Sequence, residues 1–124
     1  MRASELSGET LAYLGDGVYE LLVRESLIEK ANMTSGKLHT AAQKYVGAKG
    51  QAKAMHLIEP MLTDEELRYA HLGRNAHLTA HKKSEPALHT AASGLEALFG
   101  YLYAEGKQDR AGELFAVILN NLSE

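Results

Sequence analysis

Apolar residues recur at intervals of three and four along nearly the whole chain, and nowhere do they alternate in twos between turn signals. That period belongs to helices with one buried face, and it confines the chain to the all-α fold class. Proline points the same way. Only Pro60 and Pro86 occur in 124 residues, and each falls where a helical pattern breaks. The spacing predicts a first helix from Gly8 to Lys30, with Leu11, Leu14, Val18, Leu21 and Leu22 as its apolar stripe. Ser35 is the expected N-cap of a second helix carrying Ala41, Ala42 and Val46. Gly47 separates it from a third, Ala48 to Glu59, which Pro60 closes. Thr63-Asp64-Glu65-Glu66 has the form of a capping box for a fourth helix through Leu67, Ala70 and His71. Asn75 to Pro86 is polar and reads as an irregular basic loop. From Ala87 the helical period returns in Ala91, Leu95, Leu98 and Leu102; Gly106 is the expected left-handed end. Asp109 is the expected cap of a last helix with Leu114, Val117, Ile118 and Leu122. No repeat, low-complexity segment or linker divides the sequence, so residues 1–124 read as one compact domain.

Composition narrows the chemistry. With 45% hydrophobic residues the chain can bury a substantial core, and without cysteine it has neither disulfides nor thiolate zinc ligands. No apolar run approaches the roughly 20 residues needed to span a bilayer. Met1 to Glu5 lacks the apolar core of a signal peptide, so a cytoplasmic location is expected, and two matches to the N-glycosylation pattern (Asn32, Asn121) read as chance. The net charge of −3 argues against a polyanionic partner by its sum alone. Carboxylates that hold a metal lower that sum, however, and the charge is unevenly distributed.

Two acids stand in unusual company. Asp16 lies between Gly15 and Gly17 inside the first helical pattern. Each glycine there costs about 0.5–1 kcal/mol relative to alanine, which is explained if another helix or a ligand approaches the backbone closely. Glu9 and Glu20 fall near the same face as Asp16; taken alone they read as solvated charges. Glu96 is the only charge between Glu85 and Glu105, in a helix of small and apolar residues (Ala92, Ser93, Ala97, Gly100) that permits tight packing. If this helix crosses the first near Gly15 and Gly17, Asp16 and Glu96 converge, and paired carboxylates suit Mg²⁺. From spacing alone an alternative stays equally open, in which Glu96 pairs with a buried Arg or Lys.

These segments carry a pattern. Glu9-Thr10-Leu11-Ala12-Tyr13-Leu14-Gly15-Asp16-Gly17-Val18 resembles the first catalytic helix of ribonuclease III domains, and Leu95-Glu96-Ala97-Leu98-Phe99-Gly100-Tyr101-Leu102-Tyr103 resembles the second. Val46-Gly47-Ala48-Lys49-Gly50-Gln51-Ala52 and Gly73-Arg74-Asn75-Ala76 resemble the Mini-III branch, which lacks a separate double-stranded-RNA-binding domain. The four motifs stand in the family's order and cover nearly the whole chain. The resemblance implies a homodimeric endoribonuclease that cuts double-stranded RNA with metal-activated water, leaving 5′-phosphate and 3′-hydroxyl ends. It implies Asp16 and Glu96 as catalytic metal ligands, Mg²⁺ as cofactor with Mn²⁺ able to substitute, and Glu9 and Glu20 as candidates to support those two acids. The implied task is trimming precursor 23S ribosomal RNA in a bacterial cytoplasm or plastid stroma, with a ribosomal protein as a candidate partner. Full-length relatives carry two further acids, where this chain has Ala12 and Ser93. That departure puts a two-metal mechanism in doubt and favours one well-held Mg²⁺ per subunit, or a second held mostly by RNA phosphate. It also motivates the alternative of a catalytically silent RNA-binding or ribonucleoprotein module.

Duplex RNA is held largely through phosphates and 2′-hydroxyls. The candidate contacts are Lys49, Gln51 and Lys53 at the start of the third helix, and Arg74, Asn75, His77, Lys82 and Lys83 in the basic segment. His77, His81 and His89 would make binding pH-dependent; a zinc site is disfavoured because no helical pair of histidines is evident there. Tyr13, Tyr19, Tyr101 and Tyr103 are expected in packing or at an interface, and Met55 and Met61 in or near the core.

Overall fold

A computed structural model of the chain describes residues 1–81 and 87–122. Among the described residues there are six α-helices and no strand: α1 (Gly8–Lys30), α2 (Ser35–Val46), α3 (Ala48–Ile58), α4 (Asp64–His81), α5 (Ala87–Ala104) and α6 (Gln108–Leu122). The all-α expectation holds. None of these helices is long and apolar enough to cross a membrane.

Most ends obey local chemistry. Ser7 caps α1 by accepting from the Thr10 N–H, and Thr63 and Glu66 form the predicted reciprocal box at 2.9 and 3.1 Å. Gly106, at φ 73°, ends α5 as expected, with the Lys107 N–H bonded back to the Leu102 carbonyl at 2.7 Å. Other ends move. Thr34, not Ser35, caps α2. α6 starts at Gln108, so Asp109 lies within its first turn, where its charge favours the helix dipole. α3 stops at Ile58 and hands over to a 3₁₀ turn, Glu59–Met61, containing Pro60. The largest correction concerns α4. It runs on to His81 through a stretch expected to be irregular. Polarity alone does not break a helix, and no Gly or Pro occurs between Asn75 and His81. His77 and His81 therefore lie one turn apart on a helix.

The core sits around α5, which packs against α1, α3, α4 and α6. Leu95, Leu98, Phe99, Tyr101 and Leu102 are buried along it. Tyr19 lies edge-to-face with Phe99 and Phe115 at 5.5 and 5.8 Å, and Tyr69 stacks on Tyr101 at 4.3 Å. The buried face of α1 is Leu11, Gly15, Tyr19, Val23 and Leu27. It is rotated from the expected stripe: Leu14, Val18 and Leu22 are half-buried, and Leu21 is 58% exposed. Tyr13 and Tyr103 are exposed while Tyr19 and Tyr101 are core; Met55 is buried, but Met61 is exposed.

Backbone contact between helices depends on glycine at particular points. A Cβ on Gly15 would overlap the Glu96 carbonyl, and one on Gly100 would overlap the Leu11 carbonyl. The two glycines bring the α1 and α5 backbones into contact at the level of the two acids.

Candidate active site

The crossing of α1 and α5 places Asp16 and Glu96 together. Gly15 is pressed against the backbone of Glu96 itself, so Asp16, the next residue, leaves α1 beside the Glu96 side chain. Asp16 is exposed and Glu96 half-buried. The Glu96 carboxyl is pushed up to about 8: burial is the largest cause, the negative charge of Asp16 the next, then a hydrogen bond shared with Asp16; a hydrogen bond from the Gln51 side chain pulls the other way. Two carboxylates that close cannot both ionise cheaply unless a cation joins them. Among the described residues no Lys or Arg forms an ion pair with Glu96, so the alternative of a basic partner finds no support there.

The second glycine behaves differently from the first. A Cβ on Gly17 would meet nothing within 4 Å. Close approach to α5 explains Gly15 and leaves Gly17 facing open space. Glu9 is exposed in the first turn of α1, and Glu20 is bound by Arg24 at 2.6 Å on the surface. Among the described residues neither forms a hydrogen bond or ion pair with Asp16 or Glu96. Among the described residues no group of three or more acidic or histidine side chains converges on a point where it could hold a metal ion. The donor set is thus a pair of carboxylates, oxygen chemistry that fits a divalent cation retaining several waters. Ala12, where full-length relatives have an acid, packs half-buried against the core.

The expected RNA contacts divide. Lys49 and Lys53 are exposed one turn apart on α3. Gln51, placed with them by sequence, is 3% exposed and faces inward on α3 with Gly50, Ala54, Met55 and Ile58. In a helix, the residue between Lys49 and Lys53 points away from both, so the three expected contacts do not share one face. Arg74 and Asn75 are exposed on α4, and the Arg74 stem lies along Gly94 of α5. His77 falls on α4; Lys82 and Lys83 lie outside the described residues.

An acid pair held across a glycine crossing, inside an all-helical core, is the arrangement that the sequence motifs imply. Residues 9–107 match the family model of the ribonuclease III domain, a span that contains both acids and Gln51. The chain is similar to the Mini-ribonuclease 3 of Symbiobacterium thermophilum, 44% identical over 85% of this chain and 82% of that one. It is similar to that of Synechocystis, at 41% over 91% of this chain and 78% of the other, and to that of Kosmotoga olearia, at 37% over 96% and 81%. A crystal structure of a Fusobacterium nucleatum protein shares the fold, with a TM-score of 0.80 at 23% identity over 92% of each chain. The chain belongs to the ribonuclease III family, in its Mini-ribonuclease 3 branch, and is an endoribonuclease of that type.

Proposed function

We propose that this endoribonuclease cuts double-stranded RNA as a Mg²⁺-dependent homodimer, with Asp16 and Glu96 as its catalytic metal ligands and with 5′-phosphate and 3′-hydroxyl ends as products. The observation that carries the reading is the convergence of Asp16 and Glu96, two carboxylates lacking a basic partner among the described residues. Mg²⁺ bound there supplies Lewis acidity toward the phosphodiester and lowers the pKa of water. The protein's part is to hold both carboxylates at the rim, one of them half-buried, where bound substrate excludes bulk water from the pair. Lys49, Lys53, Arg74 and Asn75 are the described candidates to contact the duplex, with His77, Lys82 and Lys83 completing that set.

The homodimer is supported by the outward face of α1. Tyr13 (85% exposed), Gly17, Leu21 (58%) and Ile28 (60%) follow one another at helical spacing. The stripe continues into a groove of about 430 Å³ between α1 and α2, lined by Leu27, Ile28, Leu38, Ala42 and Val46 together with the polar Glu20, Arg24, Ser35, His39 and Gln43. An apolar stripe of this length on a solvent face marks an interaction surface, and a second copy seated on it gives Gly17 the close neighbour it lacks within one chain. Sedimentation of the wild type and Leu21→Glu checks this: a dimer is expected for the first and a monomer for the second, and a monomeric wild type sinks the homodimer.

The natural substrate we infer is precursor 23S ribosomal RNA in a bacterial cytoplasm, with residues 1–124 acting as one catalytic domain and a ribosomal protein as candidate partner. The deciding experiment incubates a perfect RNA duplex and a precursor 23S transcript with the wild type and Asp16→Asn, in Mg²⁺ and in EDTA. Cleavage of both strands that needs Mg²⁺ and disappears in Asp16→Asn is the expected result. Cleavage in EDTA, or by the mutant at the wild-type rate, excludes the metal-ligand assignment.

A further inference from the structure

We propose that Gln51 is a positioning residue of the active site, whose buried side-chain amide donates to the Glu96 carboxylate and holds it toward Asp16 for a single divalent cation. The inference rests on reading Asp16 and Glu96 as metal ligands, and adds to it a third side chain from a third helix. Gln51 is 3% exposed on a face of α3 that is otherwise Gly50, Ala54, Met55 and Ile58. An amide taken out of water without a partner costs about 1–3 kcal/mol. Leu or Met would fill similar volume on that face without the cost, so the amide is there for its hydrogen bond. The carboxylate within its reach is Glu96, whose proton affinity the Gln51 side chain lowers.

The backbone next to Gln51 is fixed. A Cβ on Gly50 would overlap the Lys44 carbonyl, so Gly50 seats the start of α3 directly on the end of α2. α3 in turn packs along α5. The amide is thus presented from one packed helix to a carboxylate on another, which is what orientation by a neighbour requires.

Charge explains why the group is an amide. An Arg or Lys at this position would neutralise Glu96 and weaken its pull on an external cation. A third acid would raise the repulsion between Asp16 and Glu96. A neutral donor fixes the carboxylate and leaves the pair able to carry two negative charges, the match for one divalent ion. A carboxylate offers about four lone-pair sites, so a single N–H leaves room for a metal ion. This assigns the support of Glu96 to α3, in a chain where Ala12 and Ser93 stand at positions that are acidic in full-length relatives.

The test measures Mn²⁺ binding by electron paramagnetic resonance on the wild type, Asp16→Asn, Gln51→Leu and Gln51→Glu. Melting in EDTA and duplex RNA binding in EDTA are followed alongside. Gln51→Leu is expected to bind Mn²⁺ about 10–100-fold more weakly while binding RNA as the wild type does. Gln51→Glu, of the same length, adds a carboxylate: Mn²⁺ affinity is held or rises, and the melting temperature in EDTA falls. A side chain that merely packs would change melting and leave Mn²⁺ affinity alone. Wild-type Mn²⁺ affinity in Gln51→Leu overturns the proposal. If Gln51→Leu does not fold, Gln51→Met keeps the length without the donor and is read the same way. A wild type without a Mn²⁺ site sensitive to Asp16→Asn removes the metal-ligand reading, and this proposal with it; a wild-type site unaffected by Gln51→Leu removes this proposal alone.

Discussion

Glu66 and Glu96 are both carboxylates drawn out of water on helices, and their surroundings treat them in opposite ways. Glu66, at the start of α4, is 4% exposed. Its oxygens accept from the Thr63 N–H at 2.9 Å and from two nitrogens of Arg110 on α6 at 2.9 and 3.0 Å. Burial raises its pKa, but the hydrogen bonds and charge of Arg110 and the bonds from Thr63 outweigh it and leave the group below its ordinary value. Arg110 also donates to the Met61 carbonyl at 2.8 Å, so one guanidinium joins α6, the 3₁₀ turn and α4. Glu96 faces another carboxylate, and its proton is held well above the usual carboxylate range. A buried acid supplied with its own cation fastens the fold. A half-buried acid set against a second acid leaves room for a cation from outside, which is what the proposed metal-ligand role of Glu96 requires.

The largest test exchanges each carboxylate for its amide. Glu96→Gln is expected to lower duplex cleavage by at least about 10³-fold, because several kcal/mol of transition-state charge stabilisation goes with the cation, yet to melt in EDTA no lower than the wild type. Glu66→Gln is expected to keep cleavage per folded molecule. The comparison breaks if the two variants lose activity alike. Next, Arg110→Ala strands Glu66 without its cation. Denaturant titration should show a loss of about 3 kcal/mol, the low end for a broken buried pair because the arginine reaches the surface.

pH sharpens the contrast by sign. The folded-state pKa of Glu96 is raised, so its contribution to stability is full below its unfolded value near 4.5 and is lost as pH rises through about 8. That of Glu66 is lowered, so its contribution is present above its unfolded value and is lost as pH falls through the folded one. In EDTA, wild-type stability should decline between pH 5 and 8, and Asp16→Asn should flatten that decline; denaturant midpoints across that range measure both. Arg110→Ala should flatten the acid limb instead. The smallest effect is expected at Arg24→Ala, which removes an exposed ion pair with Glu20. Its unfolding free energy from denaturant titration should fall by less than about 1 kcal/mol, marking the difference between an acid solvated on α1 and the two that are not.

The legible parts of this protein are those whose chemistry is local. Thr63 and Glu66 are three residues apart and cap each other wherever the rest of the chain goes, and Gly106 can take a positive φ that other residues resist. The start of α1 and the two acids were also readable, Asp16 from its flanking glycines and Glu96 from its isolation among apolar residues. Most of what the sequence leaves open depends on burial or on neighbours distant in sequence. The apolar stripe of α1 was assigned by side-chain type, so Gly15 and Tyr19 were left out of it; their places against α5 and between Phe99 and Phe115 exist only in the packed molecule. Asn75 to His81 reads as loop because it is polar, although nothing in it stops a helix. Gln51 stands between Lys49 and Lys53 in the sequence, and no local signal turns it inward.

The sequence by itself determined an all-helical chain, most of its helix ends, and two acids unlike the other charges, since helical period, caps and isolation in apolar surroundings are properties of short segments. Only the tertiary structure decided that Gly15 and Gly100 let two backbones touch, that Gly17 faces outward, that Arg110 secures Glu66, and that Gln51 reaches Glu96. Three of these join residues far apart in the chain, and which face of a helix meets which neighbour is set by packing the whole core at once rather than by the order of residues within any one helix.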